Sequence, residues 1–323
     1  GNNIPYFQDD RETLAKNVDM SLDDFNAFIE KSREKLFKVR EKRIHPLKDD
    51  KILTDWNGLM IAALSQGGQI LGDDVYIDAA KNAVNFVLES LRDKNGRLLK
   101  RSRLGKAGLQ PHLDDYSFMV FGLLNLYEAT FDPSYLASAL ELTEIMIEDF
   151  SDKNGGFFIG SKDAEKLMVR AKDSYDGAIP SGNSVAALNL FRLGKITGNT
   201  KWTDLGYSTL KAFTDKAKQS PTGFAHMLTA FMFDFKNPKE VVLVGDSNDP
   251  ETQKIISAIR KNYSPNKVLL FKDVSNPGAL VKVAPWTKDH VMINESPTFY
   301  ICKDFACKQP TTSLDLAMKY MNE

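Results

Sequence analysis

The stretch Lys51-Ile-Leu-Thr-Asp-Trp-Asn-Gly-Leu-Met-Ile-Ala-Ala-Leu64 decides the fold. It opens on hydrogen-bonding residues, Thr54, Asp55, Trp56 and Asn57, then runs through Leu59, Met60, Ile61, Ala62, Ala63 and Leu64 with no polar break. Thr54 or Asp55 can cap a helix start, because a side-chain oxygen there accepts an orphan N–H of the first turn. A helix that is apolar all round is buried on every side. The stretch therefore predicts an interior helix over 54–71 whose N-terminal end carries the chemistry.

The design recurs downstream. Asp114-Asp-Tyr-Ser-Phe-Met-Val-Phe-Gly-Leu-Leu-Asn-Leu-Tyr127 is a second apolar helix with a polar start, and Ser181-Gly-Asn-Ser184 opens a third through Val185, Leu188 and Leu193. A fourth apolar helix is predicted over 222–235. Each of the first three leads through a break into an amphipathic helix, over 75–91, 134–150 and 202–218, with Tyr76, Tyr135 and Trp202 just after the breaks. A helical pair recurring at near-constant spacing must stack to bury its open face. The buried helices then form an inner ring and the amphipathic ones an outer ring. That is a mainly α fold, an (α/α) toroid whose inner-helix starts meet at one mouth. Upstream, Ser21 can cap a further helix over 21–43, with Asp23 and Asp24 first and Lys35 to Arg43 last, as the helix dipole favours.

After Pro238 the period changes. Short apolar runs at 240–244, 267–271 and 298–302 read as strands, separated by a helix over 250–263 and closed by one over 312–321. Strands alternating with helices predict a small parallel α/β unit. It has no Gly-rich phosphate loop, so a nucleotide site is not expected. The expected division is 20–237 for the toroid hairpins and 238–323 for the C-terminal α/β unit.

Composition narrows the function. The net charge of -1 argues against a nucleic-acid binder or an anionic-membrane binder. No apolar run reaches the ~18 residues a membrane span needs. Gly1-Asn-Asn-Ile-Pro5 lacks the basic and apolar regions of a signal peptide, and a cytoplasmic protein is expected. Cys302 and Cys307 are too widely spaced for a C-x-x-C redox motif, and His45, His112, His226 and His290 are scattered. Structural thiols are favoured over a disulfide or a metal pair, and no metal or cofactor is expected.

The helix starts carry a resemblance. Lys42-Arg-Ile-His-Pro-Leu-Lys-Asp-Asp-Lys-Ile-Leu-Thr-Asp-Trp-Asn-Gly-Leu-Met-Ile61, Leu113-Asp-Asp-Tyr116, Tyr175-Asp-Gly-Ala-Ile-Pro-Ser-Gly-Asn-Ser184, Lys239-Glu-Val-Val-Leu-Val-Gly245 and the Cys302/Cys307 pair stand in one order. From about residue 20 onward, the chain resembles the C-terminal part of the thioredoxin-domain-containing DUF255 family, the spermatogenesis-associated protein 20-like and YyaL-like proteins. The resemblance implies a six-hairpin glycosidase-like toroid, preceded by a thioredoxin-like domain. It also implies early toroid hairpins that this sequence does not contain, so the toroid is expected to be incomplete here. A link to carbohydrate is analogy at the level of fold.

The candidate chemistry lies at the mouth. Asp114, Asp115 and Asp176 are the acid/base candidates, since glycoside hydrolysis needs two carboxylates. Asp55, Trp56, Asn57, His112, Tyr116, Tyr175, Ser181 and Asn183 are the substrate-binding candidates. Carboxylates and amides hydrogen-bond to hydroxyls, and Trp or Tyr stacks on a sugar ring. The same Asp residues also fit plain capping roles. The expected function is a carbohydrate-active enzyme, glycosidase-like or epimerase-like, acting on a small molecule or oligosaccharide. The alternative is a non-catalytic scaffold that binds sugar or peptide beside a thioredoxin-like domain.

Overall fold

The computed structural model describes residues 6–165 and 168–323, so the reading of Gly1-Asn-Asn-Ile-Pro5 lies outside the described residues. The chain falls into two compact units, Gly1–Asp50 and Lys51–Glu323. The first holds α1 (Arg11–Asn17), capped by Asp10, and α2 (Leu22–Arg40), capped by Ser21 as its sequence predicts. Phe25 is the buried residue of α2.

The second unit opens on β1 (Ile52–Leu53), which runs straight into α3 (Thr54–Leu71). The residue at the cap position is Leu53, which makes no side-chain cap. Thr54 is already helical and donates its hydroxyl to the Leu99 carbonyl instead. The expected capping role is therefore not found for Thr54, whose hydroxyl turns to the next hairpin, whereas Asp55 accepts a first-turn N–H, that of Trp56, at 2.8 Å from within the helix. Gly72 stops α3 in the left-handed conformation, and Asp73 caps α4 (Asp74–Ser90). β2 (Arg101–Arg103) and β3 (Lys106–Gly108) join β1 in a small antiparallel sheet. Then follow α5 (Leu113–Thr130) and α6 (Pro133–Phe150), with Asp132 as cap and Pro133 in the first turn. Next come α7 (Gly182–Thr197), capped by Ser181, and α8 (Thr200–Gln219), capped by Asn199. A 3₁₀ turn at Pro221–Phe224 leads into α9 (Ala225–Phe235).

α3, α5, α7 and α9 pack in that order as an inner row, and α4, α6 and α8 lie behind their own partners. This is the alternation of an (α/α) toroid, present as an arc of hairpins. α5 and α7 are buried almost throughout because each has inner neighbours on both sides. α3 departs from the expectation of burial on every side: Trp56, Met60, Ile70 and Leu71 are exposed. It is the end member of the row, packed by α5 on one flank alone. At the other end, Leu228, Phe231, Met232 and Phe235 of α9 are exposed too.

β4 (Lys239–Gly245), α10 (Pro250–Lys261), β5 (Lys267–Asp273), α11 (Pro277–Val283), β6 (Thr298–Lys303), β7 (Ala306–Cys307) and α12 (Leu314–Asn322) complete the chain. The strand order is β5-β4-β6-β7. β4 and β5 are parallel, but β6 runs antiparallel to β4, with Tyr300 opposite Val242. The expected all-parallel unit is thus a mixed sheet. Parallel pairing needs a helical crossover, which α10 supplies, whereas β6 is reached by a loop carrying only α11 and a 3₁₀ turn at Pro285–Thr287. Cys302 and Cys307 form a disulfide rather than free structural thiols, because the β6–β7 hairpin sets them directly opposite each other.

The sheet closes the C-terminal end of the inner row. The Phe271 N–H donates to the Tyr127 hydroxyl at 3.2 Å, and Trp286 Nε1–H donates to the Ile196 carbonyl at 2.8 Å. The opposite end, where the inner helices begin, stays clear of it.

Candidate functional site

At that open end, three carboxylates clasp the inner helices in sequence. Asp115, on α5, accepts the Asp55 N–H of α3 at 3.1 Å and its own His112 N–H at 2.7 Å. Asp114 reaches the other way and lays its carboxylate against Gly182 at the start of α7, whose backbone N–H works to lower its pKa. The approach is close: a Cβ on Gly182 would stand 2.3 Å from the Asp114 carboxylate and 2.9 Å from the Leu113 side chain, so both would have to move. Asp176 accepts the Ser181 N–H at 2.9 Å, and the His226 and Met227 N–H groups of α9 at 2.8 and 3.0 Å. Each carboxylate thus sits on the positive end of a neighbouring helix, where orphan N–H groups favour an anion.

Lys100 completes the first clasp, with Nζ 2.6 Å from Asp55 and 3.3 Å from Asp115. Burial works against its charge, but Asp115 and Asp55 more than offset this and hold its pKa above the usual lysine range. Burial pushes Asp115 up to about 7, with the Lys100 ammonium and the His112 N–H pulling the other way. Burial likewise raises Asp114. His112 is lowered by desolvation and by Lys100.

A carboxyl whose folded pKa lies above its unfolded one contributes stability that is complete below the unfolded value and lost as pH rises through the folded value. For Asp115 the window runs from 3.8 to about 7. His112, His226 and His290 are lowered by burial, so their contributions run the opposite way and are lost as pH falls. Urea unfolding of wild type and Asp115→Asn at pH 5 and pH 8 separates the two. The wild type should lose on the order of 2–4 kcal/mol more than the variant between those values. Equal slopes for the two proteins would contradict this assignment.

The structure places the remaining candidates unevenly. Trp56 and Tyr175 are 60% and 64% exposed at the open end, where a ligand could meet them. Asn57 donates to the Leu53 carbonyl, and Ser181 caps α7 through the Ser184 N–H. Tyr116, expected to be a platform, is a core residue with no exposure, its ring 5.5 Å from Phe150 and its hydroxyl accepting the Leu98 N–H. Asn183 is equally buried: it accepts the Phe157 N–H and donates to the Phe157 and Asp173 carbonyls. Asp115, expected to face a pocket, has no exposure either. In all three the polar atoms fasten backbone, which is why they point inward.

A hollow of about 950 Å³ lies along the concave side of the inner row. Gln66, Phe121, Asn125, Glu128, Arg192 and His226 line it, and the segment joining α10 to β5 forms its floor. Arg192 pairs with Glu128 at 3.0 Å, and Gln66 Nε2 donates to Asn125 at 2.8 Å. His226 packs edge-on to Phe121, and its Nε2 is buried without a hydrogen-bond partner. Burial lowers its pKa, with Asp176 acting against this. A smaller cavity of about 390 Å³ lies at the C-terminal ends of β4 and β5, beside Ser247 and Asp273. Reading chemistry only at helix starts misses the hollow. Its signal was available as Gln66, Asn125, Glu128 and Arg192, polar residues in the C-terminal halves of otherwise apolar helices.

Fold and hollow together define the class: an α/α hairpin protein of the toroid type, with a small mixed sheet at the C-terminal end of the inner row and an open concavity along it. Over nearly its whole length the chain is similar to part of spermatogenesis-associated protein 20. It is 32% identical to the human protein over 324 residues, which cover 97% of this chain and 41% of that one. It therefore spans about two fifths of the length of the curated relatives it matches. No family model matches the chain. Among solved structures it is similar to a family 76 glycoside hydrolase α-mannanase from Bacteroides thetaiotaomicron (TM-score 0.49, 18% identity, 66% of this chain and 58% of that one). It is also similar to cellobiose 2-epimerase from Bacillus thermoamylovorans (TM-score 0.43, 17% identity, 52% and 46%). No helix among the described residues is long and apolar enough to cross a membrane.

Proposed function

We propose that the hollow binds a small polyhydroxylated ligand of the sugar class and that His226 exchanges a proton with it. The carrying observation is the His226 imidazole, whose Nε2 is buried without a partner at the wall. An orphaned nitrogen in such a place calls for a ligand or a water. Its lowered pKa keeps the ring neutral near pH 7, the form that accepts a proton. Gln66, Asn125 and the Arg192–Glu128 pair offer donors and acceptors for hydroxyls, and Phe121 offers an apolar face.

This reading favours epimerase-like proton transfer over hydrolysis. Hydrolysis needs two available carboxylates. Asp115 and Asp176 are held by backbone N–H groups, and Glu128 is ion-paired. Asp114 stands at the helix starts and does not line the hollow. We also read the exposed flanks of α3 and α9 as seats for further hairpins of a longer protein.

Exchange of the proton next to the carbonyl of reducing sugars, followed by NMR in D₂O, tests the reading. His226→Asn should slow exchange by at least about 100-fold while leaving sugar binding within a few-fold. Binding without exchange in the wild type would favour the scaffold alternative. Failure of any sugar to bind would end the proposal.

A further inference from the structure

The Cys302–Cys307 disulfide lies apart from the hollow, and the proposed chemistry does not use it. As a brace it does little. Its partners are five residues apart, and the β6–β7 hairpin already holds them opposite each other, so the cross-link removes little freedom from the unfolded chain. Its surroundings are more elaborate than a brace requires. Cys302 is buried and Cys307 is exposed. His290 Nε2 stands 3.9 Å from Cys307 Sγ, and its Nδ1 is buried without a partner. A ring nitrogen of His290 and both sulfurs lie within 4.8 Å of one another.

The loop carrying His290 is fixed from several directions. Lys272 Nζ donates to the carbonyls of Thr287, Lys288 and His290 at 2.8, 2.7 and 2.8 Å. The Tyr300 hydroxyl accepts the Val291 N–H and donates to the Val291 carbonyl. The imidazole lies 4.1 Å from the Tyr300 ring and 5.5 Å from the Trp286 ring, centroid to centroid. An imidazole held this firmly against an exposed disulfide sulfur is a preorganised proton carrier.

We propose that Cys302, Cys307 and His290 form a thiol–disulfide exchange site that accepts two electrons from a dithiol. The first thiol of the reductant gives its proton to His290 and attacks the exposed Cys307 Sγ. A mixed disulfide forms, the Cys302–Cys307 bond breaks, and its electron pair leaves on Cys302, which takes the proton from His290. The second thiol of the reductant then attacks its own sulfur in the mixed disulfide. Cys307 departs as a thiolate and takes the second proton, and the reductant is released as a cyclic disulfide. Exposed disulfides of this kind are the ones that exchange.

The test equilibrates the chain with reduced and oxidised dithiothreitol under native conditions. Thiols are counted by alkylation and mass spectrometry, with circular dichroism reporting the fold. Two thiols should appear reversibly without unfolding. His290→Gln should slow the reaction at least about tenfold, while Lys288→Ala on the same loop leaves the rate unchanged. If His290→Gln disturbs folding, the wild-type pH–rate profile decides. It should carry an imidazole inflection, from a ring flanked by Lys272 and Asp289, beside that of the reductant. A profile set by the reductant alone, thiols that appear only on denaturation, or a rate indifferent to His290 overturns the proposal. So does a reduced protein that takes up one Zn²⁺ tightly and no longer reoxidises, since that outcome makes the cluster a metal site.

Discussion

Replacing Asp115 by alanine is expected to lower the unfolding free energy by about 3–5 kcal/mol. This carboxyl is fully buried and holds the first clasp of the inner row. Its removal leaves the Asp55 and His112 N–H groups without their acceptor and takes one of two carboxyl partners from the half-buried Lys100. Each abandoned buried donor costs about 1–3 kcal/mol. Lys100 keeps Asp55 at 2.6 Å, so the charge is not stranded, and this caps the loss. Chemical denaturation read by tryptophan fluorescence measures the effect, because Trp56 adjoins the clasp. A loss under about 1 kcal/mol would mean that water or a neighbouring side chain replaces the carboxyl, and that the junction is not what fastens α3 to α5.

The second large effect is expected at Gly58. A methyl group built there stands 2.4 Å from the Phe118 carbonyl carbon and 2.6 Å from the Met119 nitrogen. Both are backbone atoms inside a buried helix, so no rotamer change relieves the contact. Gly122 answers from the other side, where an added Cβ stands 2.7 Å from the Gly58 carbonyl oxygen. The two glycines let α3 and α5 touch backbone to backbone. Gly58→Ala should therefore cost about 3 kcal/mol or more, well beyond the gain alanine gives an ordinary helix position. Gly67→Ala is the control: it lies on the same helix with open space around it and should be neutral or stabilising. Equal thermal midpoints for the two variants would show that the helices can slide apart at little cost.

Much of the architecture was legible because it rests on periodicity. The apolar runs, the turn residues between them and the spacing of Tyr76, Tyr135 and Trp202 specify hairpins that must stack. Ser21 fixes a helix start by local chemistry that no neighbour alters. The direction of β6 was not legible, since a short apolar strand pairs equally well either way and the connecting loop decides. Nor was the side of each helix that meets water: Trp56 and Tyr116 both sit at polar helix starts, yet one is exposed and the other is in the core.

The sequence by itself determined that four apolar helices, each with a polar beginning, would be gathered into one row with half-apolar helices behind them. That follows from the need to bury stripes of fixed angular width. Only the tertiary structure decided which of the polar beginnings remain available to a ligand. A carboxylate beside a free helix N-terminus is taken by its N–H groups whenever that terminus comes within reach. The crossing of α3 on α5, and the approach of α5 to α7 and of α7 to α9, brought three such termini within reach of Asp115, Asp114 and Asp176. The same crossings set Gln66, Asn125, Glu128, Arg192 and His226 around one hollow, an arrangement that depends on the rotation of four helices relative to one another rather than on the pattern along any one of them.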